Sequence, residues 1–179
     1  MNRFLRWLPM LAALVLATPA VQAQTLERVR SSGTLQVCIW PDYYGITYRN
    51  PRTQQLGGID IDLSAELARE LGVELRYVAS SFPQLVADLN EGRCDVAMFA
   101  VGMLPSRKEQ LAFTQPYLQS DIYGVTTRAS RLVRQWSDID QPGVVVAVQA
   151  GTFMEPVMRD ALKQARMVVI RPPATREQE

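Results

Sequence analysis

The feature that most constrains this chain is a regular alternation of strand patterns and helix patterns between residues 34 and 101. Nearly continuous apolar runs, bounded by Gly, Pro or polar residues, predict strands, and apolar residues at helical spacing between caps predict helices. The predicted strands are Thr34–Trp40, Val73–Ala79 and Asp95–Val101, and the predicted helices are Asp60–Gly72 and Ser81–Gly92. Apolar strands separated by helices predict an α/β fold with a mainly parallel sheet that is covered on both faces.

The first predicted helix has the clearest pattern. Leu63, Leu67 and Leu71 recur every four residues and form its predicted inner face. Asp60 is the predicted N-cap, and Gly72 is the predicted end of the helix. The acid pair Asp60 and Asp62 lacks neighbouring ligands in the sequence, so we interpret it as structural and not as a metal site.

The second half of the chain predicts the start of another α/β unit. Strands are expected at Ile122–Thr127, Val144–Val148 and Met167–Ile170, with a helix after Phe153 that runs to about Arg166. Residues 24–120 are therefore expected to form lobe 1, residues 121–127 a hinge or crossover strand, and residues 128–179 part of lobe 2.

Residues 1–23 have the pattern of a secretory signal peptide. Arg3 and Arg6 precede the apolar run Leu8–Ala17, and the small residues at 21–23 offer a cleavage site near Ala23. The run is too short to span a bilayer, although an uncleaved membrane anchor is the alternative. The mature protein is expected to be exported and to begin near Gln24.

Composition excludes several classes of function. The chain has no histidine, which removes histidine-based triads, and its two cysteines make a zinc site improbable. Without Arg3 and Arg6, 17 basic residues face 18 acidic ones, so no charged surface for nucleic acid is expected. In an exported protein Cys38 and Cys94 either form a disulfide or serve as two small buried hydrophobic residues.

In a parallel α/β sheet, ligands bind beyond the carboxyl ends of the strands. Arg107 follows the third strand and falls in the first turn of a predicted short helix, where the helix dipole is already positive. A cation there is either an ordinary solvated arginine or part of an anion site.

Four motifs, in the same order and spacing, resemble the bacterial extracellular solute-binding proteins of family 3. They are GIDIDLSAELARELG at 58–72, RCDV at 93–96, PSRKEQLAFTQPY at 105–117 and VAVQAGT at 146–152. The resemblance implies a type II periplasmic-binding-protein fold with two α/β lobes, here with lobe 2 incomplete. It also implies a monomeric, non-enzymatic periplasmic receptor without a cofactor. Its expected partners are a small carboxylate ligand and an inner-membrane ABC permease.

The resemblance also assigns candidate ligand contacts. Arg107 corresponds to the arginine that grips the ligand carboxylate, and Tyr43 and Phe82 to aromatic walls. Plain packing explains Tyr43 equally well and is favoured for Phe82, which can instead cover the start of the second helix. Gly151 and Thr152 match a turn of lobe 2 that is expected to form a second anion site, with Thr152 as a helix N-cap in either case. The remaining candidate contacts are Ala100, Gly102 and Phe153.

The chain departs from the family at several of these positions. Family members usually carry a hydroxyl residue where Gly102 stands, a threonine where Leu104 stands, and a second hydroxyl residue where Phe153 stands. Each lost hydroxyl removes about 0.5–1.5 kcal/mol of hydrogen bonding, which places recognition of an α-amino group in doubt. Family chains also continue beyond Met167–Ile170. The sequence is therefore expected to be a fragment or a truncated product.

Two other functions remain open on the same fold. Residues 42–49 are similar to the corresponding stretch of periplasmic cyclohexadienyl dehydratases, for which Asp42 and Glu155 would be candidate acids without either being specified by spacing. The lost hydroxyl residues also fit a signalling or accessory module whose pocket has changed.

Overall fold

The computed structural model describes residues 21–176, without the side chains of residues 21–23. The predicted signal peptide therefore lies outside the described residues, apart from its last three positions. These belong to helix α1, Val21–Ser32. No helix in the described part of the chain is long and apolar enough to cross a membrane.

The predicted strands and helices of residues 34–97 are present in the predicted order, with three short unpredicted strands between the first strand and the first helix. The elements that follow α1 are β1 (Thr34–Ile39), β2 (Asp42–Tyr43), β3 (Thr47–Arg49), β4 (Leu56–Gly57), α2 (Ile59–Leu71), β5 (Glu74–Ala79), α3 (Leu85–Asn90), β6 (Val96–Ala97), α4 (Pro105–Lys108), a short 3₁₀ helix (Trp136–Asp138), β7 (Val145–Gln149), α5 (Met154–Ala161) and β8 (Arg166–Ile170). The first sheet is parallel in the order β5-β1-β6, which confirms the predicted α/β architecture.

Strand β1 is buried on both faces, as its apolar sequence predicts. Leu35, Val37 and Ile39 point to one side of the sheet and pack against α1 and α2 through residues that include Val29 and Ala68. The opposite side holds a second buried cluster. Its members are Cys38, Trp40, Phe82, Leu85, Cys94 and Phe99. A central strand with two apolar faces requires this arrangement of helices above and below the sheet.

A disulfide joins Cys38 on β1 to Cys94, which precedes β6. The two residues are 56 positions apart in the sequence, and both are almost fully buried. The sequence left open whether the two cysteines form a disulfide or serve as separate buried hydrophobic residues, and the structure has the disulfide. The bond ties the central strand to the strand beside it.

The rotation of α2 differs from the prediction. Of the three leucines predicted to face inward, Leu71 packs against the core, but Leu63 and Leu67 are 40% and 36% exposed. Asp60, Ser64 and Ala68 are buried instead. On this face the Asp60 carboxylate accepts a hydrogen bond from the Ala100 backbone at 2.7 Å, and the Ser64 hydroxyl bonds that of Tyr77 at 2.9 Å. These bonds hold this side of the helix against the sheet, and the small side chains of Ser64 and Ala68, at i+4 and i+8, allow close approach.

Asp60 is therefore not the N-cap that the sequence predicted. Gly58 occupies the cap position, and no side chain caps the helix there. The helix begins at Ile59, so Asp60 lies inside its first turn and not at the cap position.

The predicted loop between β1 and α2 contains a small antiparallel sheet of strands β2, β3 and β4. Thr47 is buried at its centre and donates from its hydroxyl to the Trp40 carbonyl at 2.6 Å. Each strand has only two or three residues, too few to give a readable period-2 pattern.

Three other predicted elements are shorter or later than expected. The second helix begins at Leu85 instead of Ser81, and the third strand covers only Val96–Ala97. Helix α5 ends at Ala161 rather than near Arg166. The Asp140 carboxylate accepts hydrogen bonds from the backbone N–H groups of residues 163–165, which holds the chain in a turn before β8.

The predicted strand Ile122–Thr127 is absent, because residues 111–127 form neither helix nor strand. A strand needs a partner for its backbone groups, and no described strand pairs with this stretch. Strands β7 and β8 form a separate parallel pair, covered by α5. This pair and α5 are called the second lobe below, and the β5-β1-β6 sheet with its helices is called the first lobe. The domain boundaries at 120 and 128 remain a prediction.

Candidate functional site

A cleft of about 640 Å³ lies at the carboxyl ends of β1, β5 and β6. Residues 111–122 run along one side of it, and the start of α5 contributes to the other. Six of the predicted ligand contacts line this cleft: Tyr43, Phe82, Ala100, Gly102, Thr152 and Phe153. The carboxyl ends of neighbouring parallel strands meet at one edge, which is why residues so far apart in sequence converge.

Four aromatic rings cluster beside the cleft, and two of them, Tyr43 and Phe82, line it. The Phe82 ring centroid lies 5.4 Å from Trp40, 6.0 Å from Tyr43 and 5.0 Å from Phe99, each in an edge-to-face arrangement. Phe82 is 6% exposed, so it belongs to the core as well as to the cleft wall. Tyr43 is half-buried and presents more of its ring to the cleft.

Arg107 lies next to this aromatic cluster and is 5% exposed. Its Nη1 donates to the Gly102 carbonyl at 3.0 Å, and its Nη2 donates to the Gly151 carbonyl in the second lobe. The guanidinium carbon stands 5.9 Å from the centroid of Phe82. Burial lowers the pKa of Arg107, because removal from water disfavours the charged form.

No carboxylate among the described residues forms an ion pair with Arg107. The guanidinium also does not line the cleft wall in this structure, because Gly102 and Gly151 cover it. Among the described residues, this buried positive charge is therefore met by two neutral carbonyl groups and an aromatic ring, without a carboxylate.

The short helix α4 contributes less than the sequence suggested. It has four residues, and the backbone N–H of Arg107 already donates to the Leu104 carbonyl at 3.0 Å. The Arg107 N–H is thus not free to bind an anion at this helix start. Its side chain, and not the helix terminus, supplies the positive charge.

The turn at Gly151 and Thr152 also differs from the expected second anion site. The Gly151 N–H donates to the Glu155 carboxylate at 2.8 Å, and Glu155 pairs in addition with Arg159 at 2.9 Å. The Thr152 hydroxyl donates to the Gln149 carbonyl at 2.8 Å, while Phe153 occupies the N-cap position of α5. Thr152 is therefore not the N-cap, and a carboxylate of the chain itself occupies this turn.

Sequence reasoning missed a buried junction beside the cleft. The Asp60 carboxylate accepts from the Ala100 N–H at 2.7 Å and from the Tyr117 hydroxyl at 2.7 Å. Desolvation and the Asp60 carboxylate raise the pKa of the Tyr117 phenol above its ordinary value. The Ala100 N–H is thereby occupied by the protein itself. An acid on the helix face that also carries Ser64 and Ala68 was the sequence signal for this junction.

A second missed feature brings residues 174–176 to the cleft. Gln149 is 1% exposed; its amide donates to the Ala174 carbonyl and accepts from the Arg176 N–H, both at 3.1 Å. Arg176 lines the cleft as a result. No group of three or more Asp, Glu or Cys residues in the described part of the chain could hold a metal ion.

Residues 35–166 match the family model described as bacterial extracellular solute-binding proteins, family 3. The chain is 36% identical over 160 residues to the cyclohexadienyl dehydratase of Pseudomonas aeruginosa, covering 87% of this chain and 59% of that protein. It is 28% identical to a probable histidine-binding protein of Campylobacter jejuni, covering 75% and 50%.

Among solved structures, the chain is similar to an ancestral amino acid-binding protein described as a precursor of cyclohexadienyl dehydratase. The TM-score is 0.73 at 30% identity, covering 82% of this chain and 64% of that one. The chain thus spans about half to two thirds of the length of these relatives.

Proposed function

The chain belongs to the bacterial extracellular solute-binding proteins of family 3, and from that membership we propose that it is a periplasmic receptor for a small carboxylate-bearing solute. The solute would be an amino acid or a related acid. The receptor would deliver it to an inner-membrane ABC permease. Relatives named as histidine-binding and amino acid-binding proteins support this class of ligand.

The observation that carries the proposal is the buried charge of Arg107. A buried guanidinium is costly unless an anion pairs with it, and no described carboxylate does so. A ligand carboxylate can accept two parallel hydrogen bonds from a guanidinium, which neutral carbonyl groups cannot replace in strength. Arg107 is therefore the proposed carboxylate anchor.

Closure of the two lobes follows from the position of the same residue. Arg107 belongs to the first lobe and contacts the Gly151 carbonyl of the second. A ligand carboxylate that binds Arg107 would replace that carbonyl and contact both lobes. A ligand that contacts both lobes favours the closed arrangement, because its binding free energy differs between the open and closed states.

A thermal-shift panel of amino acids and small carboxylates on the full chain, beside Arg107→Ala, tests the proposal. A ligand at a thousand times its dissociation constant adds about 4 kcal/mol of stability. We expect one ligand class to raise the melting temperature by several degrees and the variant to lose that shift. A panel without any shift on a cooperatively melting protein would contradict the proposal.

A second candidate is a cyclohexadienyl dehydratase, which the 36% identity to the Pseudomonas aeruginosa enzyme favours. Glu155 is less suited to the acid role than the sequence suggested, because Arg159 and the Gly151 N–H already bind its carboxylate. Asp42 remains an exposed acid. Incubation with prephenate or arogenate, followed by ultraviolet detection of an aromatic product, separates the two candidates. Turnover would support the enzyme, and binding without turnover the receptor.

A further inference from the structure

Phe153 and Gly102 occupy complementary positions across the two lobes. A Cβ atom at residue 102 would lie 3.0 Å from the Cβ of Phe153 and 3.4 Å from its Cδ2. The 3.0 Å contact is tighter than most Cβ contacts, so one partner would have to shift by a few tenths of an ångström. The absence of a side chain at 102 therefore leaves room for the phenylalanine.

Phe153 is directed to the cleft beside the proposed carboxylate anchor. Its side chain is 43% exposed and lines the cleft. Gly102, on which it packs, accepts a hydrogen bond from Arg107 Nη1 at 3.0 Å. A ligand held by Arg107 would thus have an aromatic face as its immediate neighbour.

The polar groups nearest this position are already engaged within the protein. The Thr152 hydroxyl donates to Gln149, the Gly151 N–H donates to Glu155, and the Ala100 N–H donates to Asp60. The cleft base on the other side of Arg107 consists of the rings of Phe82 and Tyr43. The surroundings of the anchor therefore suit an apolar, flat ligand body more than a polar one.

Resting on the proposed function, we propose that Phe153, admitted by Gly102, is a specificity-determining residue. It selects carboxylates that carry a ring over amino acids with polar or cationic side chains. A ring packs edge-to-face or offset against an aromatic wall and removes apolar surface from water, whereas an ammonium or amide there loses hydrogen bonds to water.

Titration calorimetry on the full chain tests this assignment with 3-phenylpropanoate, L-phenylalanine, L-glutamine and L-arginine. We expect the two ring-bearing carboxylates to bind at least about ten-fold more tightly than glutamine and arginine. Phe153→Ser should weaken phenylpropanoate binding about ten-fold while leaving glutamine binding unchanged or stronger. Gly102→Ser alone should weaken all binding, because its side chain meets Phe153.

The double variant Gly102→Ser, Phe153→Ser removes that collision and places two hydroxyl groups beside Arg107. We expect it to recover glutamine binding relative to Gly102→Ser, so the two substitutions are not additive. Leu132→Ser is the matched control, since Leu132 is 63% exposed and lies outside the cleft lining. It should leave all four affinities unchanged.

The outcomes separate this assignment from the proposed function. Equal or tighter binding of glutamine or arginine by the unaltered chain overturns the role of Phe153 and leaves the receptor proposal standing. An unchanged phenylpropanoate affinity in Phe153→Ser would likewise overturn the role of Phe153 without affecting the receptor proposal. No binding of any carboxylate overturns both.

Discussion

The Nη2 atom of Arg107 donates a hydrogen bond to the carbonyl oxygen of Gly151, 44 residues later in the chain and in the other lobe. The same guanidinium holds the Gly102 carbonyl in its own lobe. One buried side chain thus connects the ends of β6 and β7 at the place where the ligand carboxylate is proposed to bind. The proposed carboxylate anchor is thus also a residue that contacts both lobes.

Arg107→Lys should abolish carboxylate binding almost as completely as Arg107→Ala. A lysine ammonium is a point charge without the planar fork that reaches two acceptors at once. Hydrogen bonds to charged groups contribute about 1.5–3 kcal/mol, so the affinity should fall about 10- to 100-fold or more. Calorimetry with the ligand found in the thermal-shift panel measures this change.

Arg131→Ala provides the matched control, because Arg131 is exposed and loses the same charge. It should bind the ligand like the unaltered chain. If Arg107→Lys binds as well as the unaltered chain, Arg107 is not a bidentate anchor.

Gly151→Ala should separate the lobes. Its backbone has a φ of 71°, and a Cβ there would lie 2.8 Å from the Pro83 nitrogen and 2.9 Å from the Phe82 carbonyl carbon. Backbone atoms of a packed element cannot move aside as a flexible side chain can. We expect a loss of about 1–3 kcal/mol in the free energy of unfolding, together with weaker ligand binding.

Gly143→Ala is the control for Gly151→Ala, and the free energy of unfolding of both variants is measured by urea denaturation. Gly143 has a φ of 86°, also in the left-handed region, but nothing lies within 4 Å of its added Cβ. Gly143→Ala should lower the free energy of unfolding only by the cost of placing alanine at a positive φ, about 1 kcal/mol. Equal losses in the two variants would mean that contact between the lobes at Gly151 contributes nothing to stability.

Removal of the disulfide should destabilise the first lobe. Cys38 and Cys94 close a long loop, and the chain-entropy estimate for a separation of 56 residues is about 4 kcal/mol. Cys38→Ala with Cys94→Ala should lower the free energy of unfolding by about 2–5 kcal/mol. Urea denaturation of this variant should agree with that of the reduced unaltered chain, and an unchanged midpoint in both would contradict the prediction.

Local sequence pattern was sufficient for the sheet of the first lobe. The apolar run that gives β1 and the cap that ends α2 at Leu71 depend on neighbours in the chain, so the sequence reveals them directly. The rotation of α2 was not predictable in the same way. It is held in part by the bond between Asp60 and the Ala100 backbone, 40 residues away, which no periodicity encodes.

In the candidate site, too, the positions of residues could be predicted from the sequence, whereas their contacts could not. Motif and strand-end position brought Tyr43 and Phe82 to the correct edge of the sheet, because a parallel sheet fixes where its loops lie. The hydrogen-bond partners of the polar groups could not be predicted from the sequence. Glu155 occupies the Gly151 N–H, and Phe153 fills the space at Gly102, through contacts that only the folded chain defines.

Tyr117→Phe should change how stability depends on alkaline pH. Desolvation and Asp60 raise the pKa of Tyr117 in the folded protein above the ordinary value near 10. Because the pKa is raised, Tyr117 keeps its proton in the folded state at pH values where it has lost it in the unfolded state. The contribution of Tyr117 to the free energy of unfolding is therefore complete below about pH 10 and is lost as the pH rises further. Tyr117→Phe should therefore lose less stability between pH 9.5 and 11 than the unaltered chain.

The free energy of unfolding should fall with pH less steeply in Tyr117→Phe, and the difference in slope should be less than about 1.4 kcal/mol per pH unit. The Tyr117 hydroxyl bonds the buried Asp60, but half of its side chain is exposed, and solvent reduces the effect. Tyr123→Phe is the control, since Tyr123 is 78% exposed and should keep the alkaline decline. Urea midpoints across this pH range provide the measurement. If the two variants decline in parallel with the unaltered chain, the hydrogen bond between Tyr117 and Asp60 does not hold residues 111–122 against the first lobe.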